Sequence, residues 1–169
     1  MSHTVVAGYN ETLGPDHPRT VSAMESLAAS LAQHGDLGEA LGIMEVVLAW
    51  KKRIMGENSR STLASMRLIP TIQARMSGSS DAIAQLRSMT RAQTELLGAL
   101  HDDTMRSEEA IVECHILRSE WDAALAVEES LLQKKSLSLG PQHTSTLRCQ
   151  VNLAALLGNV GEVDRAVGI

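Results

Sequence analysis

Phenylalanine is absent from this chain, and Tyr9, Trp50 and Trp121 are its only aromatic residues. A core without aromatics must be built from Leu, Ile, Val, Met and Ala, a palette that suits close-packed helices better than β-sandwiches. The two cysteines, Cys114 and Cys149, are too few for a disulfide framework and are expected as buried or half-buried thiols in a reducing compartment. No apolar run approaches the roughly 18 residues a membrane span needs. No basic stretch leads into an apolar one at the N-terminus, so no signal peptide is expected and the setting is read as cytoplasmic. Basic charge is also scarce. The net charge of −5 disfavours a nucleic-acid partner, and no run of like charge forms a tail. At 169 residues the chain has the length of one domain and can bury a sizeable core.

What is present is a period. Gly14, Gly56, Gly98 and Gly140 are 42 residues apart, and so are Thr20, Thr62, Thr104 and Thr146. Ala40, Ala82, Ala124 and Ala166 keep the same step. Three positions in register over four copies mean a repeat array. The loops read Leu-Gly-Pro-Asp-His-Pro-Arg-Thr at 13–20, Met-Gly-Glu-Asn-Ser-Arg-Ser-Thr at 55–62, Leu-Gly-Ala-Leu-His-Asp-Asp-Thr at 97–104 and Leu-Gly-Pro-Gln-His-Thr-Ser-Thr at 139–146. Glycine, twice followed by proline, stops a helix, and each Thr falls near the next helix start, where its hydroxyl can accept from an unpaired backbone N–H.

After each Thr a helical period begins. Val21, Met24, Leu27, Ala28 and Leu31 share one face, and Leu147, Val151, Leu153, Ala154 and Leu157 are expected to do nearly the same. This first helix should end at a turn around Gly35, Ser77, Ser119 or Gly161. A second helix then carries Ala40, Leu41, Met44, Val47 and Leu48 in copy one. Copy two has Ala82, Ile83, Leu86 and Met89, and copy three Ala124, Leu125, Leu131 and Leu132. The in-register alanines let the two helices approach closely. The array is thus divided as 1–13 (tail of a preceding helix and loop), 14–55, 56–97, 98–139 and a partial fourth repeat at 140–169.

Two copies depart from the pattern. Pro70 lies in the first helix of copy two, where an interior proline costs about 3 kcal/mol, so a kink or break is expected. Glu128 stands where Met44 and Leu86 are apolar. Neither end offers a polar cap, so Leu153, Leu157, Val163 and Val167 are expected to stay partly exposed and to favour self-association.

Ala28, Ala40 twelve residues on, and apolar Leu27, Leu31, Met44 and Val47 resemble the tetratricopeptide repeat. The 42-residue length and the loop resemble the kinesin light chain type, also common in fungal and bacterial signalling proteins. Ser145-Thr-Leu-Arg-Cys-Gln-Val-Asn-Leu-Ala154 is the best match, and the resemblance covers residues 5–169. It implies an all-α, right-handed solenoid (superhelix) of antiparallel helix pairs, with the first helices lining a concave groove that takes a peptide or a helix. Relatives that grip an acidic C-terminus use the second and sixth positions of that helix. Here these are Ser22, Ala64, Arg106 and Arg148, and Ser26, Leu68, Ala110 and Asn152. The first two copies lack the clamp, while Arg106, Arg148 and Asn152 keep part of it. Arg67, Thr71, Arg75, Glu109 and Glu113 complete the candidate groove. Arginine can meet a carboxylate with two parallel hydrogen bonds, so a partner with acidic residues towards one end is expected; the competing reading pairs Arg106 and Arg148 with acidic neighbours such as Glu109.

No chemistry competes with this reading. His17, His101 and His143 share one loop position, but equivalent positions in stacked repeats sit on the order of 10 Å apart, and zinc needs its ligands within about 2.1 Å. Each histidine is instead expected to close its own loop by hydrogen bonding. Cys114 and His115 are neighbours on a helix and point apart. No Gly-x-Ser-x-Gly, P-loop or His-Glu-x-x-His occurs, so neither an enzyme nor a cofactor is expected. Trp121, at a turn, and the methionines are read as packing residues. The expected function is a non-catalytic interaction module or scaffold. The alternative is a structural or self-associating segment of a larger signalling protein containing such repeats.

Overall fold

The structure, a computed structural model, describes residues 3–77 and 80–168. It is all-α. The helices are α1 (His3–Leu13), α2 (Pro18–His34), α3 (Leu37–Met55), α4 (Arg60–Ser77), α5 (Ser80–Leu97), α6 (Asp102–Leu117), α7 (Trp121–Leu139), α8 (Thr144–Val160) and the short α9 (Val163–Val167). They fall into two compact units, Met1–Ser77 and Gly78–Ile169. In the first unit α1 packs on α2, α2 on α3 and α3 on α4. In the second, α5 through α9 pack in the same successive way. This is the helix-pair repeat of the solenoid class. The first helix of each pair is α2, α4, α6 or α8.

The period has a local cause. The residue before each repeat glycine ends a helix, and Gly14, Gly56, Gly98 and Gly140 all take positive φ, between 83° and 94°. That backbone is disfavoured for side chains with a Cβ. The glycine carbonyl then accepts two hydrogen bonds. One comes from the backbone N–H three residues on, at 3.3–3.4 Å. The other comes from the threonine hydroxyl six residues on, at 2.8 Å for Thr20, Thr62 and Thr146 and 3.0 Å for Thr104. The threonine hydroxyl therefore donates backwards to the loop; it does not accept from the helix start as expected. The accepting cap is the residue three before it. Nδ1 of His17, His101 and His143 accepts from the N–H two residues on, each at 3.2 Å, and Ser59 Oγ accepts from Thr62 N at 3.1 Å. The in-register histidines are helix caps.

In copies one, three and four the turn within the pair is held by a left-handed residue: Gly35 (φ 100°), Ser119 (φ 58°) and Gly161 (φ 84°). A non-glycine residue in this region costs roughly 1 kcal/mol. Ser119→Gly is therefore expected to stabilise the protein by about 1 kcal/mol, read as a shift of the urea midpoint at unchanged slope; a neutral or negative shift would show that Ser119 sits there without strain.

Packing follows the alanines. Ala40, Ala82 and Ala124 are fully buried and Ala166 is half-buried. In the first unit Ala28, Ala32, Ala40, Met44 and Ile72 form one cluster, and Val21, Val47 and Trp50 another. In the second, Val112, Ala124, Leu125, Leu153, Leu156 and Leu157 cluster, as do Met105, Leu131 and Cys149.

Three expectations are corrected. Helix α4 runs unbroken through the buried Pro70. Leu63, Ser65, Ile72 and Ala74 are buried on both sides of it, so packing holds the two flanking turns in line although Met66 loses its helical N–H partner. Leu153 and Leu157 are not exposed; they sit in the core cluster against α7. Leu147 and Val151, expected on the apolar face, are exposed, whereas Thr146 and Cys149 take the buried positions. Val163 and Val167 are exposed as expected. Met44 is core, but Met55 is 45% exposed. Ile169 and the side chain of Ser77 lie outside the described residues.

Candidate binding site

In the second unit α6, α7 and α8 enclose an open cavity of about 430 Å³. Glu109, Val112, Glu113 and Ile116 enter from α6, and Trp121 and Glu128 from α7. Arg148, Asn152, Ala155, Leu156 and Asn159 enter from α8. These α6 residues lie at helical steps of three and four, as do the α8 ones, so each helix presents one stripe. The floor is apolar and aromatic and the rim is charged, the usual make-up of a pocket that holds a side chain.

The electrostatics begin behind the cavity. Lys135 on α7 is 3% exposed, and its ammonium donates to Glu109 Oε1 at 2.5 Å. The same oxygen accepts from Arg148 Nη2 at 3.1 Å. Glu109 thus joins two cations on neighbouring helices. Glu128 is 2% exposed. Burial pushes its carboxyl above the ordinary range, against hydrogen bonds from Cys149 and Asn152 and the charge of Lys135. Burial, together with Glu128, pushes the Cys149 thiol up to about 12, and burial pushes Cys114 to about 11, so both thiols stay protonated and unreactive at neutral pH.

Of the sequence candidates, Glu109, Glu113, Arg148 and Asn152 are brought together in this cavity. Arg106 is not among its lining residues; its guanidinium holds Asp102 one turn earlier on α6, at 3.0 Å. Arg67, Thr71 and Arg75 lie on α4 in the first unit, where Thr71 Oγ1 donates to the Arg67 carbonyl at 3.0 Å and Arg75 is exposed. Glu128 and Asn159 were missed. For Glu128 a signal existed, a carboxylate at a repeat position that is apolar in two other copies; Asn159 has none. Trp121 packs on the core cluster as expected, and it also lines the cavity. Among the described residues no three His, Cys, Asp or Glu side chains are placed to hold a metal ion, and no described helix is long and apolar enough to cross a membrane.

Fold and cavity together define a class, the helix-pair repeat proteins that present a face of first helices. Residues 20–61 match the family model of the tetratricopeptide repeat, a stretch that equals one internal period. No curated protein matches the chain. Among solved structures, it is similar to the nearly identical TPR-like repeats of a candidate kinesin light chain from Podosopora anserina, with TM-score 0.68 at 23% identity, covering 98% of this chain and 78% of that one. A single-substitution variant of that protein aligns with TM-score 0.71 at 22% identity and the same coverage. BtubC (BKLC) from P. vanneervenii aligns with TM-score 0.71 at 14% identity, covering 88% of this chain and 59% of that one. The likeness is one of fold.

Proposed function

We propose that the chain is a non-catalytic interaction module that holds a peptide segment of a partner protein across α6 and α8, with one side chain in the cavity beside Trp121. The observation that carries this reading is the cavity itself: an aromatic and aliphatic floor under a polar rim, on the face where the first helices of such repeats present their side chains. The kinesin light chain-type subtype and a cytoplasmic setting belong to the same proposal, the latter supported by two unpaired buried thiols. The acidic partner expected from Arg106 and Arg148 has weaker support, because Asp102 and Glu109 already engage both guanidiniums. Glu113 and Glu128 add negative charge to the lining, so a basic or neutral side chain suits the cavity better.

The test is capture of partners from lysate on wild type beside the double variant Glu113→Arg, Asn159→Arg. Both positions are exposed, so the fold is spared. A partner held by wild type should bind the variant at least about tenfold more weakly, a loss of roughly 1.4 kcal/mol or more. Equal retention of every partner would exclude the cavity as the binding site.

A further inference from the structure

We propose that the groove between α5 and α7, on a different face of α6 from the Trp121 cavity, docks an acidic segment of a partner protein, with a carboxylate against Arg87 and Arg91 and an apolar side chain against the alanines of α7. It stands independently of the Trp121 cavity.

Helices α5 and α7 both pack on α6. Between them lies an open cavity of about 540 Å³, within the size range of sites that hold a ligand group. Arg87 and Arg91 stand one turn apart on α5, so both guanidiniums rise from one wall. Ala123, Ala126 and Val127 form the facing wall on α7. The short alanine side chains leave the α7 backbone open to close approach. Ile111 and Glu108 of α6 make the floor, on a different stripe from Glu109, Val112, Glu113 and Ile116.

The carboxylate of the floor is already engaged. Glu108 Oε1 accepts from Lys134 at 2.5 Å, and Oε2 is shut off from solvent. The arginines are not spent in this way. Arg91 pairs with Glu95 at 3.3 Å, but the two side chains are 85% and 70% exposed, where such a pair contributes little. Arg87 meets no carboxylate among the described residues; its Nη2 donates to His115 Nε2 at 3.4 Å. A guanidinium only donates, so Nδ1 of His115 carries the hydrogen and gives it to Glu120 Oε2 at 2.7 Å. His115 is buried, so these bonds orient Arg87 without neutralising it.

The sign of this wall belongs to copy two and not to the repeat. Arg87 stands where copies one and three have Glu45 and Glu129, and Arg91 where they have Ala49 and Gln133. The same helix forms in those copies with acidic or neutral residues, so the fold does not require the two arginines. They make a positive wall on a chain of net charge −5. A basic segment is repelled there, whereas an acidic one gains guanidiniums that can each meet a carboxylate with two parallel hydrogen bonds. With an apolar wall opposite, the fitting occupant is a protein segment that offers both an acidic and an apolar side chain, rather than a bare anion.

A displayed library of short random peptides, selected on the full chain and depleted on the double variant Arg87→Glu, Arg91→Gln, tests this. Both substitutions install residues that another copy carries at the same position, so the fold is kept, and helical circular dichroism checks it. Recovered peptides should carry an excess of Asp and Glu and bind the double variant at least about tenfold more weakly than wild type. Ala126→Gln, at an exposed position, leaves both arginines but fills the groove, and should weaken the same peptides about tenfold, which separates the groove from attraction by charge alone. Glu113→Arg, Asn159→Arg, at the Trp121 cavity, should not weaken them. Peptides without an acidic excess, indifference to Ala126→Gln, or no recovered peptide at all overturns the proposal. So does displacement of the peptides by equimolar inorganic phosphate, the mark of a bare anion site, or self-association of the chain that the double variant abolishes, which would make a second copy the occupant.

Discussion

Glu25→Ala is expected to destabilise the protein by about 3 kcal/mol, far more than a surface charge deletion, because it strands a buried ammonium. Lys51 is 5% exposed, and its Nζ donates to both Glu25 oxygens at 2.7 Å and lies 2.7 Å from Ser65 Oγ. Ser61 O, at 3.4 Å, is the remaining acceptor. Removing the carboxylate leaves the largely buried ammonium with neutral acceptors and only partial access to water. The double variant Glu25→Ala, Lys51→Met should recover most of the loss and lie within about 1 kcal/mol of wild type, since an apolar replacement of a buried pair is often neutral. Urea unfolding of the four proteins of the cycle gives the coupling directly. A cost below about 0.5 kcal/mol for the single variant would mean that the pair behaves as a surface ion pair.

Glu128→Met should stabilise the protein at neutral pH by about 1–3 kcal/mol. Its repeat equivalents Met44 and Leu86 are fully buried, so the site accommodates an apolar side chain of similar size. Burial raises the Glu128 carboxyl above its ordinary value of 4.5. As pH rises past that value the unfolded chain gives up the proton while the folded protein keeps it, so stability falls until the folded carboxyl also ionises. Above that point the deficit persists. The gain from Glu128→Met is therefore expected to grow as pH rises above 4.5 and to shrink towards acid pH, where the carboxyl is protonated in both states. Chemical denaturation across this range decides it; a gain independent of pH would place its origin in packing rather than in the desolvated carboxylate.

Much of the architecture was legible in the residue order. The glycine and threonine register marks loops that close on the same two hydrogen bonds in every copy, and the buried alanines mark close helix approach. Both are local devices, repeated, so their spacing reads directly as a period. The histidines also read correctly as loop-closing groups, although their role as helix caps needed coordinates. Pro70 misled because helix propensity is a local quantity, and the packed turns on either side outweigh it. Leu147 and Val151 misled because their face is apolar by spacing but has no helix laid against it.

The candidate site was legible only by half. Arg148, Asn152, Glu109 and Glu113 came from the resemblance, and they do meet. The competing reading, Arg148 paired with Glu109, is the one the structure shows; that Glu109 is in turn held by the buried Lys135 could not be read from charges on separate amphipathic helices. Glu25 and Lys51, or Glu109 and Lys135, stand 26 residues apart in sequence; only the packing of the second helix on the first brings them within 2.7 Å and out of water. Residue order by itself determined the period, the helix stops and the helix-pair fold, because these rest on backbone conformation and on contacts within a few residues. Which charges are buried, which apolar face is left open and where a cavity forms were decided by tertiary structure alone, because solvent exclusion depends on neighbours that no local spacing specifies.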